Sequence, residues 1–145
     1  MKHDSLWFRT AFLLVALVAK LCLLSPAEAD TPPASLSRYR NRNRVLLIFA
    51  PSKEDPRYKK QDRLMSGEAT GLKDRDLIRF DVLEQKGIVP LRERYGIRPG
   101  QFRVLLIGKD GSIAFSALRP VVASDLFGRI DRMPMRRDEI RRRGR

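Results

Sequence analysis

Two stretches of this chain are apolar from end to end: Val45–Ala50 (VLLIFA) and Val104–Gly108 (VLLIG). Short unbroken runs rich in branched residues, bounded by polar turns, suit strands covered on both faces, because a strand with one wet face has to alternate. The chain therefore calls for a sheet with a layer on each side and with these two strands in its centre. Two further stretches do alternate. In Asp76–Glu84 (DLIRFDVLE), Ile78, Phe80 and Val82 point one way and Arg79 and Asp81 the other; in Ser112–Ala117 (SIAFSA), Ile113 and Phe115 share a face. These read as half-covered strands and belong at the edges.

The segments between them carry helix signals. Asp55-Pro56 supplies an N-cap and a proline for the first helical position. It predicts a helix to about Met65, closed by Gly67, with Tyr58, Gln61 and Met65 along one face. Pro90 opens a short helix (LRERY) stopped by Gly96. Ser124 is expected to cap a helix carrying Leu126, Phe127 and Ile130, which Pro134 breaks, and a last polar helix runs to Arg143. Lys109-Asp110-Gly111 is a hairpin signal, so the last two strands pair antiparallel. A crossover connection makes the first two parallel. The order β-α-β-α-β-β-α, with the apolar strands central, is an α/β thioredoxin-like fold: a four-stranded mixed sheet with flanking helices.

Specific residues carry a family resemblance. RYGIRPGQF (Arg94–Phe102) and VLLIGKDGSI, from Val104, resemble the approach to thioredoxin's third core strand and the hairpin after it. The slots of the family's C-x-x-C motif, however, hold Lys53-Glu54-Asp55-Pro56 or a near neighbour, and the cis-proline slot holds Arg103, with Pro99 close by. A closer match covers residues 38 to 140: NRVLLIFAPS, Gln61, Asp74-Arg75-Asp76, LLIGKDG and IDRMPMRRDE together resemble the family called domain of unknown function 4174. That resemblance implies a thioredoxin or peroxiredoxin relative without redox cysteines, found in exported bacterial proteins and similar to a domain of secreted animal sushi-repeat and matrix-associated coiled-coil proteins. It implies no established activity.

The N-terminus reads as a cleavable export signal: Lys2 and Arg9, the apolar run Ala11–Ala19, and Ala27-Glu28-Ala29 as the small-x-small site. Lys20 interrupts the apolar stretch well short of the ~20 residues a spanning helix needs. The expected organisation is a signal peptide at 1–29, a basic and polar linker at 30–43, a thioredoxin-like domain at 44–133 and a basic helix or tail at 134–145. The signal carries away the only cysteine, Cys22, and the only histidine, His3. The mature chain of 145 − 29 = 116 residues then has no thiolate nucleophile, no histidine base and no His/Cys metal site, and no cofactor is expected. The full chain carries +13. The signal accounts for Lys2, Arg9 and Lys20 against Asp4 and Glu28, a net +1, so the mature form keeps +12. A field of that size favours acidic partners. Outside the cytoplasm these are anionic lipid, lipopolysaccharide or acidic polysaccharide; no specific nucleic-acid motif is present.

Three groups of residues are candidates for binding. Lys53 lies in the turn before a helix N-terminus, where amides and a lysine can hold an anion, unless Asp55 already caps those amides. Arg38, Arg40, Arg42 and Arg44, with Tyr39 among them, form a basic approach to the first strand. Arg136, Arg137, Arg141, Arg142 and Arg143 form a basic tail, although Asp138/Arg142 and Glu139/Arg143 have the spacing of helical ion pairs. Asp74, Arg75 and Asp76 are expected to meet Lys109 and Asp110 across a sheet end, as surface ion pairs and caps. The expected function is a non-enzymatic binding or accessory domain of the cell envelope. The alternatives are a divergent thioredoxin- or peroxiredoxin-related oxidoreductase, or an enzyme using Asp/Lys groups at the 53–55 and 109–110 turns.

Overall fold

The computed structural model describes residues 35–84 and 89–144. The expected signal peptide and its cleavage site lie outside the described residues, as do residues 30–34 of the expected linker. Four strands, β1 (Arg44–Ala50), β2 (Leu77–Leu83), β3 (Arg103–Ile107) and β4 (Ile113–Ala117), form one sheet in the order β2-β1-β3-β4. β1 runs parallel to β2 and antiparallel to β3, and β4 returns antiparallel beside β3. The two continuous apolar runs are thus the central pair and the two alternating ones are the edges.

The helices are α1 (Pro56–Met65), α2 (Ala69–Asp74), α3 (Val89–Arg94), α4 (Ala123–Asp131) and α5 (Pro134–Arg143), with a 3-10 turn at Ser37–Tyr39. They form a layer on each side of the sheet. Leu46, Ile48 and Ala50 of β1 and Val104 and Leu106 of β3 meet Tyr58 and Met65 of α1 and Leu126 and Ile130 of α4. On the opposite face, Val45, Leu47 and Phe49, with Leu105 and Ile107, meet Phe80, Val82, Leu91, Ile97 and Leu36. Every residue of β1 is buried, as two covered faces require. Each such side chain contributes roughly 1.5–3 kcal/mol by leaving water, and Leu106→Ala would cost about 2–5 kcal/mol through the cavity left behind.

α1 forms as its sequence predicts. The Asp55 side chain accepts from the Arg57 amide, Pro56 stands in the first turn, and Tyr58, Gln61 and Met65 are the buried face. Gln61 is fully buried; its Nε2 donates to the Val121 carbonyl at 3.0 Å and its Oε1 accepts from the Val121 amide at 2.7 Å. The side chain thus stands in for a strand neighbour and satisfies both backbone groups of the loop before α4.

Three features depart from expectation. α2 was not anticipated: it holds Gly71, and a mid-helix glycine costs ~1 kcal/mol against alanine. The glycine is there because a Cβ would come within 2.5 Å of the Phe127 ring. Ser124 does not cap α4; the helix starts at Ala123, with Val122 at the cap position and no side-chain bond there. The Gln61–Val121 clamp buries Val121 and Ala123 and turns the chain into the helix before the serine is reached. The approach segment is not a free linker from Ser35 onward: Leu36 is buried and the Tyr39 ring lies 5.5 Å from that of Phe80. β4 is the thinly covered edge. Phe115 and Ala117 reach the α1/α4 side, while a register irregularity at Leu106/Ile107 leaves Ile113 53% exposed.

Candidate binding surface and the charged sheet end

The turn after β1 is where thioredoxin-like chemistry would sit. Here the Ser52 hydroxyl accepts from the Glu54 amide at 3.1 Å, and hydrogen bonding of the Glu54 carboxyl to the Ser52 side chain and to its own backbone amide holds it below its ordinary value. Asp55 accepts from the Arg57 amide at 2.8 Å and from the Arg57 guanidinium at 3.0 and 2.6 Å. These Arg57 contacts outweigh burial and lower the Asp55 carboxyl. The N-terminus of α1 is thus occupied by the chain's own carboxylate. Lys53 is exposed beside it, on a shallow depression it shares with Ser52, Leu83 and Glu84. Nothing in this turn is a nucleophile of the thiolate kind.

Behind it, Arg92 is a buried cation held mainly by carbonyls. Its guanidinium donates to Ala50 and Val82 at the ends of β1 and β2, and to Arg98 and Gln101 in the following loop. It also pairs with Glu84 at 3.1 Å. Arg92 therefore ties the ends of two parallel strands to the loop leading into β3. Arg103, the residue that the thioredoxin resemblance sets in the cis-proline slot, opens β3 opposite Phe49.

At the opposite end of the sheet the approach segment and the tail meet. Arg44 is 1% exposed, and its two terminal nitrogens each donate to Glu139 of α5 at 3.1 Å. Lys109 lies 2.8 Å from Glu139 and 2.8 Å from Asp76. Arg136, 4% exposed, reaches Asp74 at 2.5 Å and Asp131 at 3.2 Å, and Arg75 holds Asp131 at 2.6 Å. Arg143 closes the group on Asp74 at 2.9 Å. Burial alone would raise the Glu139 carboxyl; hydrogen bonds from Arg44 and Lys109 outweigh it and leave it below its ordinary value. Asp131 is lowered in the same way, with Arg75 and Arg136 overcoming burial.

This arrangement redistributes the candidate binding residues. Arg44 and Arg136 are interior cations, so neither belongs to a ligand-facing surface. Arg143 is spent on Asp74, and Arg141 on Asp138 one turn back. The expected Asp138/Arg142 and Glu139/Arg143 pairs give way to these, because Glu139 points inward. Asp76 meets Lys109 as anticipated; Asp110 instead accepts from the Ser112 hydroxyl and amide. Arg137 and Arg142 are exposed. In the approach segment Arg40 and Arg42 are exposed, and Arg38 donates to the Tyr39 hydroxyl at 2.5 Å. None of the three has a carboxylate within ion-pair distance among the described residues. Sequence reasoning missed Glu139, Asp131 and Arg92 as anchors; the one available signal was the acidic pair Asp138-Glu139 set among arginines on an otherwise polar helix.

Among the described residues, no group of histidine, cysteine and carboxylate side chains is placed to hold a metal ion, and no helix is long and apolar enough to cross a membrane. A family model described as Domain of unknown function (DUF4174) matches residues 35–139. The chain belongs to this family. The match takes in the approach segment and ends on Glu139, so the family unit includes both halves of the Arg44–Glu139 contact. A zebrafish (Danio rerio) protein, "Coiled-coil domain-containing protein 80", is 28% identical over 133 aligned residues, covering 72% of this chain and 15% of that protein. The chain thus spans about 15% of that relative's length. Among solved structures, reduced 2-Cys peroxiredoxin from Plasmodium vivax superposes with a TM-score of 0.55 at 12% identity, covering 72% of this chain and 83% of that one. That likeness concerns the fold: the thioredoxin-like architecture is present, and the DUF4174 domain here has no cysteine between residues 30 and 145.

Proposed function

We propose that this protein is an exported, non-enzymatic binding domain of the cell envelope, and that its ligand is an acidic polysaccharide. The observation that carries the reading is the division of its cations. Arg44, Arg92, Lys109 and Arg136 are buried and committed to the fold, whereas Arg38, Arg40 and Arg42 project from one short segment and form no ion pair among the described residues; Asp110, the carboxylate that shares a cleft with Arg40, is held by Ser112. Exposed guanidinium groups in a row suit carboxylate or sulfate groups repeated along a polymer. The absence of cysteine from the chain after residue 29 supports a role outside thiol redox chemistry, which needs a thiolate. The export signal read from residues 1–29 supports an envelope location.

A polysaccharide fits better than an anionic lipid surface. Membrane association gains from apolar groups inserted beside the cations. Residues Ser37–Asn43 offer none that is exposed, since Tyr39 is packed on Phe80. The test is retention of the purified protein on an immobilised acidic polysaccharide, such as polygalacturonate, across salt concentrations. Binding at low salt should be lost by a few hundred millimolar, where the Debye length falls below ~8 Å. Replacing Arg38, Arg40 and Arg42 by glutamine should weaken retention and flatten its salt dependence without altering the unfolding midpoint. Wild-type protein that ignores the polymer at low salt would end this reading.

A further inference from the structure

The approach segment borders a cleft that the charge argument does not use. It lies on the α3 side of the sheet, between Ser37–Asn43, the end of α3 and the β3–β4 turn, and has a volume of about 360 Å³. That is at the low end of the ~300–1,000 Å³ usual for small-molecule sites. We propose that this cleft binds a single carboxylated sugar residue, with Arg94 holding the carboxylate and Tyr39 and Tyr95 providing walls for the ring. The inference rests on the polysaccharide-binding reading and gives it a site.

Four features of the cleft support that ligand class. Its floor is apolar, formed by Leu36, Val45 and Ile107. Its two aromatic walls are braced from the core: Tyr39 on Phe80, with centroids 5.5 Å apart, and Tyr95 edge-on to Phe49 at 6.2 Å. A tyrosine braced in this way presents an apolar ring and a polar tip with little freedom left to lose, which suits a sugar's alternation of C–H faces and hydroxyls. Burial raises the Tyr95 phenol, so its hydroxyl stays a neutral donor and acceptor.

The lining charge is also selective. Arg40 and Arg94 line the cleft together with Asp110. The Ser112 hydroxyl and amide hold the Asp110 carboxyl below its ordinary value, so it remains an acceptor at neutral pH. Two cations and one carboxylate suit a monoanion that also carries hydroxyl donors. A phosphate dianion gains less, because its second charge is repelled by Asp110 and it has a single hydroxyl to offer that carboxylate. Gly111 is part of the construction: its φ of +85° favours glycine, and a Cβ there would lie 3.6 Å from Arg40 Nε, so the turn passes close under the arginine.

The test is a titration of the ¹⁵N-labelled protein with a galacturonic acid trisaccharide, against a galactose trisaccharide and inorganic phosphate as probes. Saturable shifts should concentrate at Tyr39, Tyr95 and Gly111 with the acidic sugar, and both other probes should bind at least tenfold more weakly. Arg94→Gln, at an exposed position with no ion pair among the described residues, should lower trisaccharide affinity at least tenfold. The same variant should weaken retention on the long polymer too, by a smaller factor, because Arg38, Arg40 and Arg42 still hold the polymer. Lys60→Gln, on α1 across the sheet, should leave trisaccharide binding as it is. Equal response to phosphate or to the neutral sugar, shifts centred elsewhere, or an unaffected Arg94→Gln variant would each overturn the assignment. Polymer retention without trisaccharide shifts removes the cleft and keeps the polysaccharide reading. Trisaccharide binding in the cleft without polymer retention does the reverse.

Discussion

Arg44 and Glu139, 95 residues apart in sequence, meet in a two-point hydrogen bond, each terminal guanidinium nitrogen giving 3.1 Å to one carboxylate oxygen. The contact joins the first residue of the central strand to the last helix. A fork-to-carboxylate bond fixes direction as well as distance, so it sets how α5 closes over the sheet end.

Removing the carboxylate charge should therefore be costly. In Glu139→Gln, Arg44 keeps its charge in the interior without its carboxylate, and Lys109 is left with Asp76 alone. Breaking one side of a buried pair typically costs about 3–5 kcal/mol. Glu139 keeps some contact with water, with 17% of its side chain exposed, which points to the lower end of that range. Urea denaturation of the variant against the wild type measures it, and a difference under about 1 kcal/mol would assign α5 a peripheral role.

The same network sets an acid limit. Glu139 and Asp131 both lie below their ordinary values of 4.5 and 3.8 in the folded chain. The unfolded chain then takes up protons more readily, so this stabilisation is complete above pH 4.5 and is lost as pH falls through and below it. The thermal midpoint should hold level from neutrality to about pH 5 and fall below that. The gap between wild type and Glu139→Gln should narrow as the pH drops; a constant gap would show that the carboxylate charge is not what stabilises.

Gln61 offers a test inside the other layer. Gln61→Leu keeps the volume but strands the Val121 amide and carbonyl, each buried polar group costing roughly 1–3 kcal/mol when unpaired. A net loss of about 2 kcal/mol is expected, with faster amide exchange across residues 119–123. Gln61→Glu should be worse at neutral pH and recover on acidification, since only its protonated form can donate to the Val121 carbonyl. Equal stability of all three chains would show that the loop is held by something else.

Processing is checked at the N-terminus. Sequencing of the exported protein should begin at Asp30, and the processed chain should show no disulfide reductase or thiol peroxidase turnover, having lost Cys22. An intact Met1 on a membrane-held product would mean that the apolar run serves as an anchor.

The sequence by itself determined the sheet. VLLIFA and VLLIG contain no polar residue, so only the two-sided interior of a layered sheet suits them, and the alternation in DLIRFDVLE left that strand one dry face. Strand order and direction followed from burial and connection type. The α1 start was legible because Asp55 and Pro56 act on their own backbone within one turn. The fate of the charges was decided by tertiary structure. Nothing local distinguishes Arg44 from Arg42, or Arg136 from Arg137. Arg44 and Arg136 are buried because α5 folds back over the sheet end, bringing Glu139 to Arg44 and carrying Arg136 to Asp74 of α2 and Asp131 of α4. Gly71 likewise owes its place in α2 to the Phe127 ring packed against it, a neighbour that its own segment does not reveal. A charged or small residue takes its role from what lies across from it, and for these residues the partner comes from a distant part of the chain.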